Sequence, residues 1–198
     1  MPIRDAVEAD LPAIVAIYNA TIPSRMVTAD TQPITVESRL AWLRDRDWQS
    51  RPLWVMEQEQ TVVGWLSFQS FYGRPAYQAT AEVSVYVAAP YQRQGVGQTL
   101  LQAAIQRSPQ LGLKNLLGFI FAHNQPSLLL FEKFGFQQWG YLPQVASLDG
   151  VERDLVILGR KISEPPPSPP ILGNWRFSHT NSEQSSACKN LTSQSLIW

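Results

Sequence analysis

The sequence predicts a mixed α/β fold, one central sheet with helices packed on it. Three observations lead there. Runs rich in Val, Ile and aromatic residues at period two alternate with runs whose apolar residues recur every three to four positions. Their order, β-α-α-β-β-β-α-β-α-β-β, is not a regular βαβ repeat, so the sheet is mixed. The alternating strand Ala81-Glu82-Val83-Ser84-Val85-Tyr86-Val87 leads into a basic, glycine-containing turn, Gln92-Arg93-Gln94-Gly95-Val96-Gly97-Gln98, that opens a helix.

Each element has a local reason. Residues 3–6 form a short strand. Asp10 stands at a helix N-cap with Pro12 at the second position, where a missing N–H costs little. Leu11, Ile14, Val15, Tyr18 and Ile22 follow at helical spacing. A second helix begins at Thr35; Thr35 to Ser38 departs from a capping box only in lacking the acid, and Val36, Leu40 and Leu43 make its stripe. Residues 53–56 and 62–71 read as a hairpin around the polar turn Glu57-Gln58-Glu59-Gln60. Residues 77–88 form the next strand, and residues 95–111 a helix with Val96, Leu100, Leu101, Ala104 and Ile105 inward. Residues 115–122 read as a buried strand and residues 125–134 as a short helix ended by Gly135. Residues 137–147 and 151–162 close a final hairpin around Asp149-Gly150.

Residues 1–162 therefore read as one folded unit. The composition then changes: Glu164-Pro165-Pro166-Pro167-Ser168-Pro169-Pro170 has the makeup of a polyproline linker, and residues 171–198 are rich in Ser, Asn, Gln and Thr without periodicity, as expected of a disordered tail. The formal net charge of zero gives no global basic field and argues against nucleic acid as a partner. Cys188 is the only cysteine, which fits a reducing compartment. The N-terminus lacks the apolar core of a signal peptide, and no run approaches the ~18 apolar residues of a membrane span, so the expectation is a cytoplasmic protein with no membrane partner.

The glycine turn has the makings of an anion cradle. Glycines let backbone N–H groups approach a ligand, and the first turn of the following helix offers unpaired donors and a positive dipole end. Arg93 adds a charge and a fork of donors. No Gly-Lys-Ser/Thr ends the turn, which excludes a P-loop, and Leu100 stands where a dinucleotide fingerprint needs a small residue. Alone, the turn is equally a tight strand-to-helix connection with a solvated Arg93.

The wider context resembles the GNAT acetyltransferases. Gln92, Gly95 and Gly97 match the Gln/Arg-x-x-Gly-x-Gly/Ala signature of that family, and the stretch from Asn124 through Ser127, Glu132, Lys133, Gly135 and Phe136 looks like its second signature. The resemblance covers about residues 2–162. Residues 71–77 and 82–87 look like the phosphinothricin and methionine sulfoximine acetyltransferase branch. The resemblance implies the GNAT (acyl-CoA N-acyltransferase) fold, in which the strand before the cradle splays from its neighbour and acetyl-CoA lies between them. It implies that Val85, Tyr86 and Val87 offer backbone groups to the pantetheine arm. It places the pyrophosphate on Gln92, Arg93, Gln94, Gly95, Val96, Gly97 and Gln98. Asn124 and Ser127 would flank the thiol end, although both residue types are also helix caps. The branch implies a homodimer and no metal.

The implied reaction is acyl transfer from a thioester to the amine of a small molecule, and an ammonium must lose a proton before it attacks. Glu82 is the candidate base: it stands on the strand beside the cradle among apolar neighbours, and burial would raise its pKa. Without the resemblance, a glutamate on a solvent-facing strand is the plainer reading. Phe131 occupies a position where a proton donor often stands in the family, which leaves Tyr86, Tyr141, water or an unassisted thiolate. His123, at the end of a strand, reads as a structural or solvent-exposed histidine rather than a catalyst. For an amino-acid acceptor, Arg74 is the candidate carboxylate clamp, since a guanidinium matches a carboxylate bidentately. Phe71 and Tyr77, with Tyr72, Trp42 and Trp65, are candidate pocket walls or plain core. The other readings are another acceptor (an antibiotic, a polyamine or a protein terminus) and a non-catalytic acetyl-CoA-binding module.

Overall fold

The structure, a computed structural model, describes residues 1–162; the linker and tail expected at 163–198 lie outside the described residues. Seven strands make one sheet: β1 (Ile3–Asp5), β2 (Leu53–Gln58), β3 (Thr61–Ser70), β4 (Thr80–Val87), β5 (Asn115–Phe121), β6 (Gln137–Leu148) and β7 (Val151–Lys161). Their order across the sheet is β1-β2-β3-β4-β5-β7-β6. Every neighbouring pair is antiparallel except β4 and β5, which run parallel. The expected mixed sheet is therefore found.

Four helices, α1 (Leu11–Asn19), α2 (Glu37–Arg44), α3 (Val96–Arg107) and α4 (Gln125–Lys133), cover its two faces. Alternation along β2 divides the core. Trp54 and Met56 join Val83, Val96, Leu100, Leu101, Leu128 and Phe131 on the α3–α4 face. Leu53 and Val55 join Leu11, Ile14, Ile17, Leu43 and Trp65 on the α1–α2 face. Such period-two division is what a strand buried on both faces requires.

Several boundaries move for local reasons. Tyr77 closes a 3-10 turn at Pro75–Tyr77 instead of opening a strand, and β4 starts at Thr80; Pro75, which lacks the N–H a ladder needs, stands at the turn's first position. Gly95 is the N-cap of α3 with φ +86, not its first residue. Ile22 lies outside α1 in a separate 3-10 turn that contains Pro23. The first hairpin turns on Glu59 and Gln60, both at positive φ, so β2 continues to Gln58. Asp10 caps α1 without a side-chain bond to it. Its carboxylate accepts from the Val7 N–H at 2.8 Å and from both terminal nitrogens of Arg4 at 2.7 and 2.8 Å.

Candidate active site

The pairing of β4 with its neighbours creates the site. On one side β4 pairs with β3 along its length, from Ser70↔Ala81 to Gly64↔Val87. On the other it pairs with β5 only through Thr80↔Asn115, Ala81↔Leu116 and Glu82↔Leu117. Beyond Glu82 the strands part, and β5 continues against β7 alone as far as Phe121↔Leu155. The Ala88 N–H donates to Val63 O at 2.9 Å, so alternation turns the backbone of the even residues 82, 84 and 86 toward β3 and that of the odd residues 83, 85 and 87 toward the gap. Val85 and Val87 thus present backbone groups to the gap as expected. Tyr86 does not, since its backbone belongs to the β3 ladder.

The cradle stands at the head of this gap. Arg93 and Gly95 both take positive φ, 59° and 86°, turning the chain sharply into α3. The helix has no side-chain cap, and its first internal acceptor, Gly95 O, serves the Thr99 N–H at 2.9 Å. The N–H groups of the preceding residues, Gly95, Val96, Gly97 and Gln98, therefore have no partner within the helix. Gln92, Arg93, Gln94 and Gln98 are exposed around them. A Cβ at Gly97 would stand 3.4–3.8 Å from Leu130, Val87 and Val85, so α3 packs close against the diverging strand. A turn of N–H donors at a helix end, beside an unpaired strand edge, fits a diphosphate joined to an amide-bearing arm.

The side chains of the even residues face the opposite side of the sheet, where they floor a cleft of about 160 Å³. Cross-strand pairing sets three rows there: Trp65 beside Tyr86, Ser67 beside Ser84, and Gln69 beside Glu82. Ile14, Val15 and Tyr18 of α1, with Ile34 and with Arg39 and Trp42 of α2, wall it. Trp65 and Tyr86 stack with ring centroids 4.2 Å apart, and Tyr18 leans on Tyr86 at 5.2 Å. Ser67 Oγ and Trp65 Nε1 are buried and find no partner in the protein, although buried polar atoms are nearly always paired.

Glu82 is half-buried, and burial alone raises its pKa above the ordinary glutamate value. Among the described residues it joins no ion pair or hydrogen bond. A half-buried carboxylate with a raised pKa, unclaimed by a counter-charge, can accept a proton. Burial likewise drives the Tyr86 phenol well above its ordinary pKa, so it stays protonated at the cleft floor. The Tyr141 hydroxyl bonds Asp154 on the β6–β7 hairpin, and Tyr141 is not among the residues lining the cleft. Phe131 is buried in the core with its ring against Gly118 and Phe136.

Other expected residues are placed differently. Asn124 is buried; its Oδ1 caps α4 by accepting from the Ser127 N–H at 3.2 Å, and its Nδ2 donates to Met26 O at 3.0 Å. Asn124 thus ties the loop after α1 to the start of α4, and His123 reinforces the tie with Nε2 2.8 Å from Arg25 O. Phe71, Tyr72 and Tyr77 cluster edge to face at the far end of β3, with Phe71 stacked on Phe119. Arg74 is exposed in the loop between them. None of these four lines the cleft that holds Glu82, whereas Trp42 and Trp65 do. The sequence reading passed over Tyr18, Arg39, Ser67, Gln69 and Ser84. The i, i+2 spacing of Trp65-Ser67-Gln69 and of Glu82-Ser84-Tyr86 was a signal that could have found the floor. Among the described residues no group of three His, Cys, Asp or Glu is placed to hold a metal ion, and no helix is long and apolar enough to cross a membrane.

Comparison with known proteins agrees with this geometry. A family profile described as "Acetyltransferase (GNAT) family" matches residues 15–136. The chain is 54% identical over 164 residues to "Putative phosphinothricin acetyltransferase YwnH" of Bacillus subtilis, covering 82% of this chain and 100% of that one. It is 34% identical over 157 residues to an L-methionine sulfoximine/L-methionine sulfone acetyltransferase of Pseudomonas aeruginosa, covering 79% and 91%. A solved structure described as "yncA, a putative ACETYLTRANSFERASE from Salmonella typhimurium with its cofactor Acetyl-CoA" superposes with a TM-score of 0.77 at 29% identity, covering 84% of this chain and 98% of that one.

Proposed function

We propose that this chain, which belongs to the GNAT acetyltransferase family, acetylates the amino group of a small amino-acid-like acceptor of the phosphinothricin or methionine sulfoximine type. Acetyl-CoA supplies the activated acetyl group as a thioester. The observation that carries the reading is the placement of Glu82, which ends the shared stretch of β4 and β5 and floors the acceptor cleft on the other side of the strand.

The residues divide the work. Gln92, Arg93, Gln94, Gly95, Val96, Gly97 and Gln98 hold the diphosphate, through N–H groups and the Arg93 charge. The backbone of Val85 and Val87 pairs with the pantetheine arm as a missing strand would. Tyr86 contributes its ring and phenol to the acceptor side instead. Ser127, half-buried in the first turn of α4, borders the thiol end while Asn124 fixes that turn in place. Glu82 takes the proton from the bound ammonium, directly or through water, and leaves a neutral amine to attack. Phe71, Arg74 and Tyr77 stand outside the cleft, where Arg74 draws an anionic acceptor toward it.

The size of the cleft favours a small acceptor. At about 160 Å³ it is below the roughly 300–1,000 Å³ usual for ligand pockets, so an aminoglycoside-sized amine does not fit within it. The same reading carries a homodimer. Trp139, Tyr141, Leu142, Val145 and Val151 are exposed apolar side chains on the β6–β7 hairpin, a surface suited to a second copy. It also carries a cytoplasmic location, supported by dependence on acetyl-CoA and by a single cysteine in 198 residues.

The test is a thiol-release assay across acceptors. L-methionine sulfoximine, L-methionine sulfone and phosphinothricin are expected to be acetylated, with spermidine and an alanyl peptide slow or inert. Turnover confined to the peptide or the polyamine would overturn the acceptor class. Tight acetyl-CoA binding with no turnover on any amine would overturn the enzymatic reading. Light scattering at micromolar concentration checks the dimer, and a monomer would refute it.

A further inference from the structure

Several arginines among the described residues spend their donors inside the protein. Arg4 is bound by Asp10 and Glu57, Arg25 by Asp149, and Arg44 by Glu8. Arg46 donates to the carbonyls of Arg51 and Phe68, and Arg51 to those of Gln78 and Thr80. Arg39 is different. Its guanidinium lies 5.7 Å from the Tyr18 ring centroid and 5.6 Å from that of Trp42, positions that fix a cation without using its N–H donors. Its ion-pair partner, Asp30, stands 3.9 Å away, beyond hydrogen-bond reach, and the Asp30 carboxylate already accepts from the Tyr18 hydroxyl at 2.6 Å.

Arg39 also faces the right place. Among the residues that line the cleft it is the one cation and Glu82 the one carboxylate. They arise from opposite layers, Arg39 from α2 and Glu82 from the sheet floor. An α-amino acid carries both charges in the complementary sense. With its ammonium at Glu82, its carboxylate is directed to the helix side of the cleft.

We propose that Arg39 clamps the carboxylate of the amino-acid acceptor, so that the enzyme selects acceptors bearing a carboxylate next to the reacting amine. The guanidinium fork meets two carboxylate oxygens bidentately, and the Tyr18 and Trp42 rings hold the fork in orientation. Arg74 is not among the residues that line the cleft. The inference rests on the acceptor class proposed above.

The test compares L-methionine sulfone with its primary amide, which keeps the reacting amine and loses the carboxylate charge. In Arg39→Met of the 198-residue chain, kcat/KM for the acid is expected to fall about 10- to 150-fold, the range for losing a hydrogen bond to a charged group, chiefly through KM. Activity toward the amide, which keeps a carbonyl oxygen but no charge, is expected to fall far less, so that the acid-to-amide ratio drops. Arg39→Lys should recover part of the loss, because charge returns without the planar fork. Acetyl-CoA affinity by calorimetry and Tm report whether the variant is folded. Equal losses on acid and amide, or an acid-specific loss in Arg74→Ala but not in Arg39→Met, would overturn the assignment. Should Arg39→Met fail to fold, the acid-to-amide ratio in Arg39→Lys decides alone: a ratio unchanged from wild type refutes the clamp. Failure of the wild-type protein to acetylate any amino acid would instead refute the acceptor class.

Discussion

Replacing Glu82 by Gln tests the proposed chemistry with little disturbance of shape. Glutamine keeps the volume, the strand pairing with Gln69 and Leu117, and a carbonyl oxygen in the cleft; it loses only the ability to take a proton. A positioned general base contributes about 100- to 10,000-fold, or about 2.7–5.5 kcal/mol of barrier at 1.36 kcal/mol per tenfold. A loss of kcat of that size is expected in a thiol-release assay with saturating acetyl-CoA. The pH profile adds a second reading. Because the base works ionised and burial raises its pKa, wild-type kcat/KM should rise with pH along a limb lying above the ordinary glutamate range. That limb should vanish in the variant. Stability should move the other way. A carboxyl whose pKa is raised on folding binds its proton more tightly in the native state, so its contribution is full at low pH and is lost as pH rises through the folded value. At neutral pH the ionised side chain therefore opposes folding, and Glu82→Gln should melt at or above the wild-type temperature. Retention of more than about a tenth of kcat, or an unchanged acid limb, would refute the assignment of Glu82 as base.

Three further outcomes follow from the packing. Asp10→Asn removes the carboxylate charge and the bond from Arg4 Nη2 to Oδ1, while leaving the oxygen that serves the Val7 N–H and Arg4 Nη1, and should lower stability by about 1–2 kcal/mol in chemical denaturation. Because the Arg4 hydrogen bond holds the Asp10 carboxyl below its ordinary pKa, that contribution is present above the unfolded value near 3.9 and disappears as pH falls through the folded one, so the wild-type and variant curves should converge in acid. Gly118→Ala places a Cβ 2.5 Å from the Phe131 ring, inside the core, and should cost about 1–3 kcal/mol, read as a lower Tm. Asn124→Ala removes both the cap on Ser127 and the tether to Met26, and should cost about 1–2 kcal/mol while speeding proteolysis between residues 20 and 34.

Much of the fold was legible because local chemistry and global position agreed. Asp149-Gly150 turns at φ 52° and 78°, as its dipeptide requires, and Gly135 ends α4 at φ 76°. The cradle and Glu82 were legible because both lie on one continuous stretch of chain. Arg39 was not. Its place in the cleft depends on how α2 lies across α1 and the sheet, a relation between segments that no spacing encodes. Arg74 lies outside this cleft: Tyr72 and Gly73 both take positive φ after β3, and the following arginine emerges exposed. Asn124 shows a third case, in which capping and the family's second signature name the same residue. Its two side-chain bonds reveal the tether to Met26, 98 positions earlier, that neither reading contained.

The parting of β4 from β5 also bears on what holds the protein together. The sheet is two antiparallel leaves, β1 to β4 and β5 to β7, stitched along a short parallel seam at residues 80–82 and 115–117. A ligand laid in the opening lengthens that seam and bonds to one leaf along its edge. Bound as proposed, acetyl-CoA would be a keystone as well as a reactant. At 100 times its dissociation constant, a ligand specific for the native state adds about 2.7 kcal/mol to stability, a large share of what a domain of this size possesses. Saturating acetyl-CoA is then expected to raise the melting temperature as well as to sustain turnover.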